Sequence, residues 1–249
     1  MKMIKEIGLV CVVTFVMFAL LACDDSTSSC DSSIYVDPLT VVKSFMTDER
    51  DGQTYKTVTI GTQTWMAENL NLETDYSYCY NDSAEYCDKY GRLYTWAAAM
   101  DSVGTWSTNG KGCGYGNYGN VCSATYPVRG VCPEGWHLPS HEDWWIMLRA
   151  VETDGGYVGL TSGKALKSKT GWNDNGNGDD AFGFAALPAG HRGVRDGFHW
   201  IGESARFWSS SGGDTYAYYV YMNMDSDIAD LDNLSPKFGY SVRCIKDSE

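Results

Sequence analysis

VCPEGWHLPSHEDW, residues 131–144, decides the fold of this chain. Pro139 closes an extended stretch, because a proline disfavours helix in the residue before it. Ser140 then sits where an N-cap belongs, and Asp143 three residues later completes a capping box. Trp144, Met147, Leu148 and Val151 follow at helical spacing on one face. The stretch therefore predicts an amphipathic helix packed on something flat. It also bears on metal chemistry. His137 and His141 are four apart with Glu142 and Asp143 beside them. On one helix that spacing would bind a metal, but Pro139 and the cap leave His137 outside. The expectation is His137 packed beside Trp136 and His141 exposed in the first turn.

Strand signals lie on both sides of this helix. DGQTYKTVTIGTQTWMAENLN, residues 51–71, alternates from Tyr55 to Ile60, turns at Gly61 and returns from Gln63 to Met66. That pattern predicts a hairpin. Tyr76, Tyr78 and Tyr80 alternate too, and Asn81-Asp82-Ser83 suits the turn of a second hairpin, closed by Cys79 and Cys87. YGRLYTWAAAM, residues 90–100, reads as a helix after Gly91 because of its alanine run. Residues 102–121 read as Gly- and Asn-rich loop. FWSSS (207–211), TYAYYVYM (215–222) and GYSVRCIKD (239–247) read as short strands. Helices earlier and strands gathered at the end indicate an α+β domain. No period of 20 to 50 residues marks an internal repeat.

The amino terminus carries a different kind of signal. Lys2 and Lys5 precede an apolar run, Ile7 to Leu21, of 15 residues. That is the size of a secretory leader's core and is short of a membrane span. Leu20-Leu21-Ala22-Cys23 then matches the bacterial lipobox. The expectation is cleavage before Cys23, thioether lipidation of its sulfur and acylation of the new terminus, which anchors stably through several acyl chains. Residues 1–22 read as the leader, 23–46 as a polar tether beginning DDSTSSCDSS, and 47–249 as the domain. Residues 34–46 read equally as flexible chain or as a docking strand. The expected location is the cell envelope, on the outer membrane and exposed at its surface.

Composition narrows the classes further. The net charge is −13, and loss of Lys2, Lys5 and Glu6 makes it one unit more negative. Such a chain repels nucleic acid and anionic headgroups. With no Cys-x-x-Cys and four His, a zinc site is not expected. Cys30 falls in the tether and six cysteines fall in the domain. Six allow 15 connectivities. Our reading is Cys79–Cys87 and Cys113–Cys122 closing short loops and Cys132–Cys244 closing a long one, in an oxidising compartment.

Three further clusters are candidate sites. GWNDNGNGDDAF, residues 171–182, is rich in oxygen ligands, and Asp174, Asn177, Asp179 and Asp180 are candidates for Ca²⁺. The stretch lacks an EF-hand frame, and a plain turn cluster reads better; no other cofactor is expected. His191, Arg192, Arg195 and Glu203 offer acid, base and charge, but no nucleophile with an oriented base. No catalytic residue is assigned. Aromatics crowd the last third: Trp200, Phe207, Trp208, Tyr216, Tyr218, Tyr219 and Tyr221. Alternation places Tyr219 and Tyr221 on one face and Tyr216 and Tyr218 on the other. The segments 192–208 and 221–236 are expected to form a ligand surface, with Trp200 and Tyr218 as contact residues.

In order, the blocks at 51–71, 90–100, 131–144, 180–192, 207–211 and 239–247 resemble the Fibrobacter succinogenes major paralogous domain family. The resemblance runs from about Thr47 to Asp247. It implies a C-type-lectin-like fold related to that of the formylglycine-generating enzymes, with a small twisted antiparallel sheet, two helices and long loops. The family carries no established activity. The expected function is therefore a lipid-anchored envelope protein whose lectin-like domain binds a carbohydrate or a partner protein. The alternatives are an extracytoplasmic enzyme of the formylglycine-generating type and a purely structural envelope protein. The oligomeric state is left open.

Overall fold

The structure is a computed structural model and describes residues 35–114, 122–153, 159–195, 197–213 and 215–248. Its centre is the region predicted first. Helix α3 (His141–Ala150) begins at the Ser140 cap, whose hydroxyl accepts from the Asp143 N–H while the Asp143 side chain accepts from the Ser140 N–H. Trp144, Met147 and Leu148 are buried along one face. Trp144 packs on Trp65 with ring centroids 4.6 Å apart.

Trp65 belongs to the predicted hairpin, β2 (Thr54–Ile60) and β3 (Gln63–Met66). Strand β1 (Val42–Thr47) flanks it on one side. Strands β13 (Ile245–Lys246) and β6 (Trp136–His137) continue the sheet on the other, in the order β1-β2-β3-β13-β6. The expected tether, 23–46, is corrected by β1. Val42 through Thr47 pair antiparallel with Thr59 through Thr54, and the Val36 N–H donates to the Ala150 carbonyl at 2.7 Å. Val36 and Val41 pack against the core while Val42 and Phe45 stay exposed. Too few apolar residues face inward for the alternation to announce this strand, and its backbone pairing with β2 supplies the rest. The domain therefore begins before residue 47.

A second sheet has the order β4-β5-β12-β7-β8: Ser77–Tyr78, Leu93–Thr95, Gly239–Tyr240, His191–Arg192 and Phe198–His199. Two expectations fail here. The Cys79–Cys87 segment is no hairpin, because Ala84–Tyr90 form α1 and place Cys87 on a helix. The helix expected from Gly91 starts only at Trp96. Leu93 and Tyr94 are taken into the sheet by Tyr78, Ser77 and Tyr240, and Thr95 caps the four-residue α2 (Trp96–Ala99). Pairing on both edges overrides the helix propensity of the alanine run.

The third sheet is β11-β10-β9: Ala229–Leu234, Ala217–Asn223 and Ser204–Gly212. Its strands β9 and β10 lie between two hydrophobic clusters. Phe207, Val220 and Met222 join Trp65 and Trp144 in one cluster, and Trp208 and Tyr219 join Trp96 and Tyr240 in the other. Period-2 alternation on strands covered on both faces explains why the aromatics here are so dense. Tyr219 and Tyr221 share one face with ring centroids 6.0 Å apart, and Tyr216 and Tyr218 share the other at 5.7 Å. Helix α4 (Ser162–Leu166), which no sequence signal marked, packs near β11. The fold is α+β, mostly sheet, with four helices among the described residues rather than the two expected. Disulfides join Cys79 to Cys87, Cys113 to Cys122 and Cys132 to Cys244.

Candidate ligand-binding site

Trp200 follows β8 in the left-handed region, at φ 62°. A non-glycine residue there costs about 1–2 kcal/mol, so the surroundings must hold it. They do so through the backbone. The Trp200 carbonyl accepts from both the Glu203 and Ser204 N–H groups at 3.0 Å, and the Gly202 N–H donates to the Pro188 carbonyl at 2.9 Å. Gly190 lies against the same turn, and a Cβ there would stand 2.3 Å from the His199 carbonyl oxygen. The close approach is open only to glycine.

This turn leaves the Trp200 side chain 49% exposed. The Arg206 guanidinium lies 4.6 Å from the centre of the indole, and the His191 ring meets it edge-on at 4.9 Å. Arg206 is itself buried. One of its terminal nitrogens donates to the Tyr240 hydroxyl at 3.2 Å, and no ion pair among the described residues uses it. Trp200, Glu203, Ser204 and Arg206 line a cavity of about 270 Å³ with Asn223, Met224 and Asp225. The Met224 N–H donates to the Glu203 carbonyl at 2.8 Å and so ties the two walls together. Both segments expected to form a ligand surface, 192–208 and 221–236, thus contribute to one cavity. It offers an aromatic face, a guanidinium donor, two carboxylate acceptors and an amide that both gives and takes. Its lining contains no His or Cys. Of these residues the sequence singles out Trp200 and Glu203; Arg206 is missed because an arginine inside a strand pattern carries no positional signal.

The other candidates fall elsewhere. Tyr218 is outside this cavity and meets His141 edge-on at 5.1 Å. His191 packs among rings that include Trp200, whereas the Arg192 guanidinium lies 4.0 Å from the centre of the Tyr78 ring. The Asp174–Asp180 loop is bound to its neighbours by its own backbone. The Asp179, Asp180 and Ala181 N–H groups donate to carbonyls of Lys164, Lys167 and Ala165, and a Cβ at Gly178 would stand 2.4 Å from the Lys167 carbonyl oxygen. The Asn177 side-chain oxygen accepts from the Trp172 N–H, and an Asp180 carboxylate oxygen accepts from the Ala185 N–H. Burial raises the Asp180 pKa, which opposes the ionised form a cation needs. No group of three or more His, Cys, Asp or Glu side chains able to hold a metal occurs among the described residues. Cys23 and Cys30 lie outside the described residues.

His137 is held between two carboxylates. Its Nδ1 lies 2.6 Å from Asp247 Oδ1, and its Nε2 lies 3.6 Å from Asp143 Oδ2. Burial disfavours the imidazolium, but hydrogen bonds to Asp143 and Asp247 and their charges outweigh it, so the His137 pKa is raised from 6.5. Burial likewise works against the Asp143 carboxylate, and hydrogen bonds from His137 and Ser140 outweigh that too, lowering its pKa from 3.8. A raised histidine stabilises the fold below its unfolded pKa and loses that effect as pH rises through the folded value. A lowered aspartate stabilises above its unfolded pKa and loses the effect as pH falls through its folded value. The clamp is therefore complete between the two ordinary values, near pH 5. His137→Gln is expected to cost about 1–2 kcal/mol there, with Asp247 discounted for its exposure. Urea melts of the variant and the parent should converge as pH rises to 9. A gap that stays constant from pH 5 to pH 9 contradicts the charged clamp.

Comparison with known proteins adds the family. A family model, the Fibrobacter succinogenes major domain, matches residues 58–246, which runs from within β2 through β13 and takes in both walls of the Trp200 cavity. No curated protein and no solved structure matches the chain. The match spans well over half of the 249 residues, so the chain belongs to the Fibrobacter succinogenes major domain family.

Proposed function

We propose that this is a lipid-anchored, surface-displayed binding protein whose domain has a C-type-lectin-like fold and takes an uncharged carbohydrate at the Trp200 cavity. One observation carries the reading: a half-exposed indole held in a left-handed turn and backed by a buried guanidinium. A strained, well-fixed residue is a common mark of a functional position. The indole gives a rigid apolar platform for the C–H face of a sugar ring. Glu203, Asp225, Asn223 and Arg206 supply acceptors and donors for its hydroxyls. The net charge of −13 disfavours anionic ligands. Three disulfides accord with an extracytoplasmic location.

Trp200→Ala is expected to weaken sedimentation with insoluble or gel-immobilised neutral polysaccharide by about tenfold, or roughly 1.4 kcal/mol, with an unchanged melting temperature. Undiminished binding by the variant contradicts the site. The anchor has its own test. Cys23→Ser is expected to leave an unlipidated precursor that keeps its leader, read by intact-mass spectrometry of the membrane fraction. A mature-size form of the variant that still partitions into detergent contradicts the lipoprotein reading.

A further inference from the structure

A second cavity repeats the arrangement at Trp200 on different elements. Tyr76, just before β4, is also in the left-handed region, at φ 61°, and its side chain is 57% exposed. Its carbonyl accepts from the Thr95 N–H at 3.1 Å, which fixes it to the start of α2. Beside it stands Trp106. Asp101, itself at φ 52°, places that ring: its carboxylate accepts from the Thr105, Trp106 and Ser107 N–H groups at 2.8, 2.6 and 2.9 Å. The Arg50 guanidinium lies 4.8 Å from the centre of the Trp106 ring. Arg50 is gripped in turn by the fully buried Asp48, through Nε at 2.8 Å and Nη2 at 2.6 Å.

Tyr76, Val103 and Trp106 line a cavity of about 400 Å³ together with Glu73, Asp75 and Ser102. Ser102 is 6% exposed, and its hydroxyl has no hydrogen-bond partner among the described residues. Such a group is costly to leave unsatisfied. Each cavity thus has an exposed aromatic held at positive φ, a tryptophan stacked on an arginine, and a carboxylate-bearing rim. Packing alone does not call for two strained aromatics left in solvent.

We infer that the Tyr76–Trp106 cavity is a second, independent carbohydrate subsite for uncharged sugars. The inference rests on the reading of the Trp200 cavity as a sugar site and extends it to a second position. Two subsites on one domain would convert weak single contacts into avidity for a polymer. The acids of the rim accept from sugar hydroxyls and exclude anionic chains.

Titration calorimetry on the Cys23→Ser chain separates the two readings. The probes are β-1,4-linked hexasaccharides of glucose, xylose and mannose. Variants are Trp200→Ala and Tyr76→Gly, the latter because glycine accepts the left-handed turn and removes only the ring. Thermal melts confirm that each variant is folded. Two equivalents of the bound sugar are expected per parent chain, one for either variant and none for the double variant. One equivalent that Trp200→Ala abolishes and Tyr76→Gly leaves intact overturns the second subsite and leaves the first standing. One equivalent lost only in Tyr76→Gly keeps the second subsite and overturns the first. Heat-silent titrations with all three sugars overturn both.

Discussion

Replacing Arg243 by alanine is expected to cost the domain about 3–5 kcal/mol, the range for uncovering a buried charged hydrogen-bond network. Arg243 is fully buried in the strand region GYSVRCIKD. No carboxylate pairs with it among the described residues. Its guanidinium is satisfied instead by oxygens from two segments far apart in the chain, 66–69 and 184–185. Nε donates to the Asn69 side chain at 2.6 Å, Nη1 to the carbonyls of Met66 and Phe184, and Nη2 to the Ala185 carbonyl at 3.0 Å. The plane lies 4.5 Å from the Phe184 ring centre. Burial pushes its pKa down to about 9, which still leaves it charged at neutral pH. Alanine would strand four acceptors and open a cavity next to Phe184. Lysine has one nitrogen where arginine has three and cannot serve all of them, so Arg243→Lys should fall between parent and alanine. In a domain of this size the alanine variant should melt roughly 6–20 °C lower. A loss under about 1 kcal/mol in urea titration would contradict the role given to these hydrogen bonds.

The second large effect is expected at Cys132–Cys244, which closes 112 residues. In the chain-entropy account such a closure stabilises by about 4–5 kcal/mol, against about 2–3 for closures of 8 and 9 residues. Paired serine substitutions at Cys132 and Cys244 should therefore destabilise more than those at Cys79 and Cys87 or at Cys113 and Cys122. Cys244 adjoins Arg243, so combining this pair with Arg243→Ala should be non-additive. Denaturant melts of the three serine pairs decide the order. A long-loop variant no weaker than the short-loop ones would mean that the reduced unfolded chain retains structure across that span.

How much of this was legible in the sequence depends on whether a segment's neighbours are local. The cap at Ser140, the face of α3 and the β2–β3 hairpin rest on residues within a few positions of one another, and all were readable. Leu93–Thr95 reads as helix because its strand partners lie at Ser77–Tyr78 and Gly239–Tyr240, beyond any local window. Strand β1 reads ambiguously because an exposed edge strand needs no inward-facing stripe. At the Trp200 cavity, both wall segments and the key indole were visible as aromatics among turn-formers. Arg206 and the Tyr76–Trp106 cavity are not legible: an arginine inside a strand pattern carries no positional signal, and the stack of Arg50 on Trp106 joins residues far apart in the chain. For Tyr218, alternation gives a face but not a neighbour, so it does not locate a ligand contact.

The most direct test of the sugar-site account is the tryptophan indole region of a nitrogen–proton correlation spectrum, recorded while the bound hexasaccharide is added. The chain has nine tryptophans, and Trp65, Trp96, Trp144 and Trp208 are fully buried, so they serve as internal controls. Assignments come from single Trp→Phe substitutions. The account predicts that the Trp200 indole resonance shifts with saturating dependence on sugar while those four stay in place. A spectrum in which Trp200 does not move, or in which the buried four move with it, would contradict it.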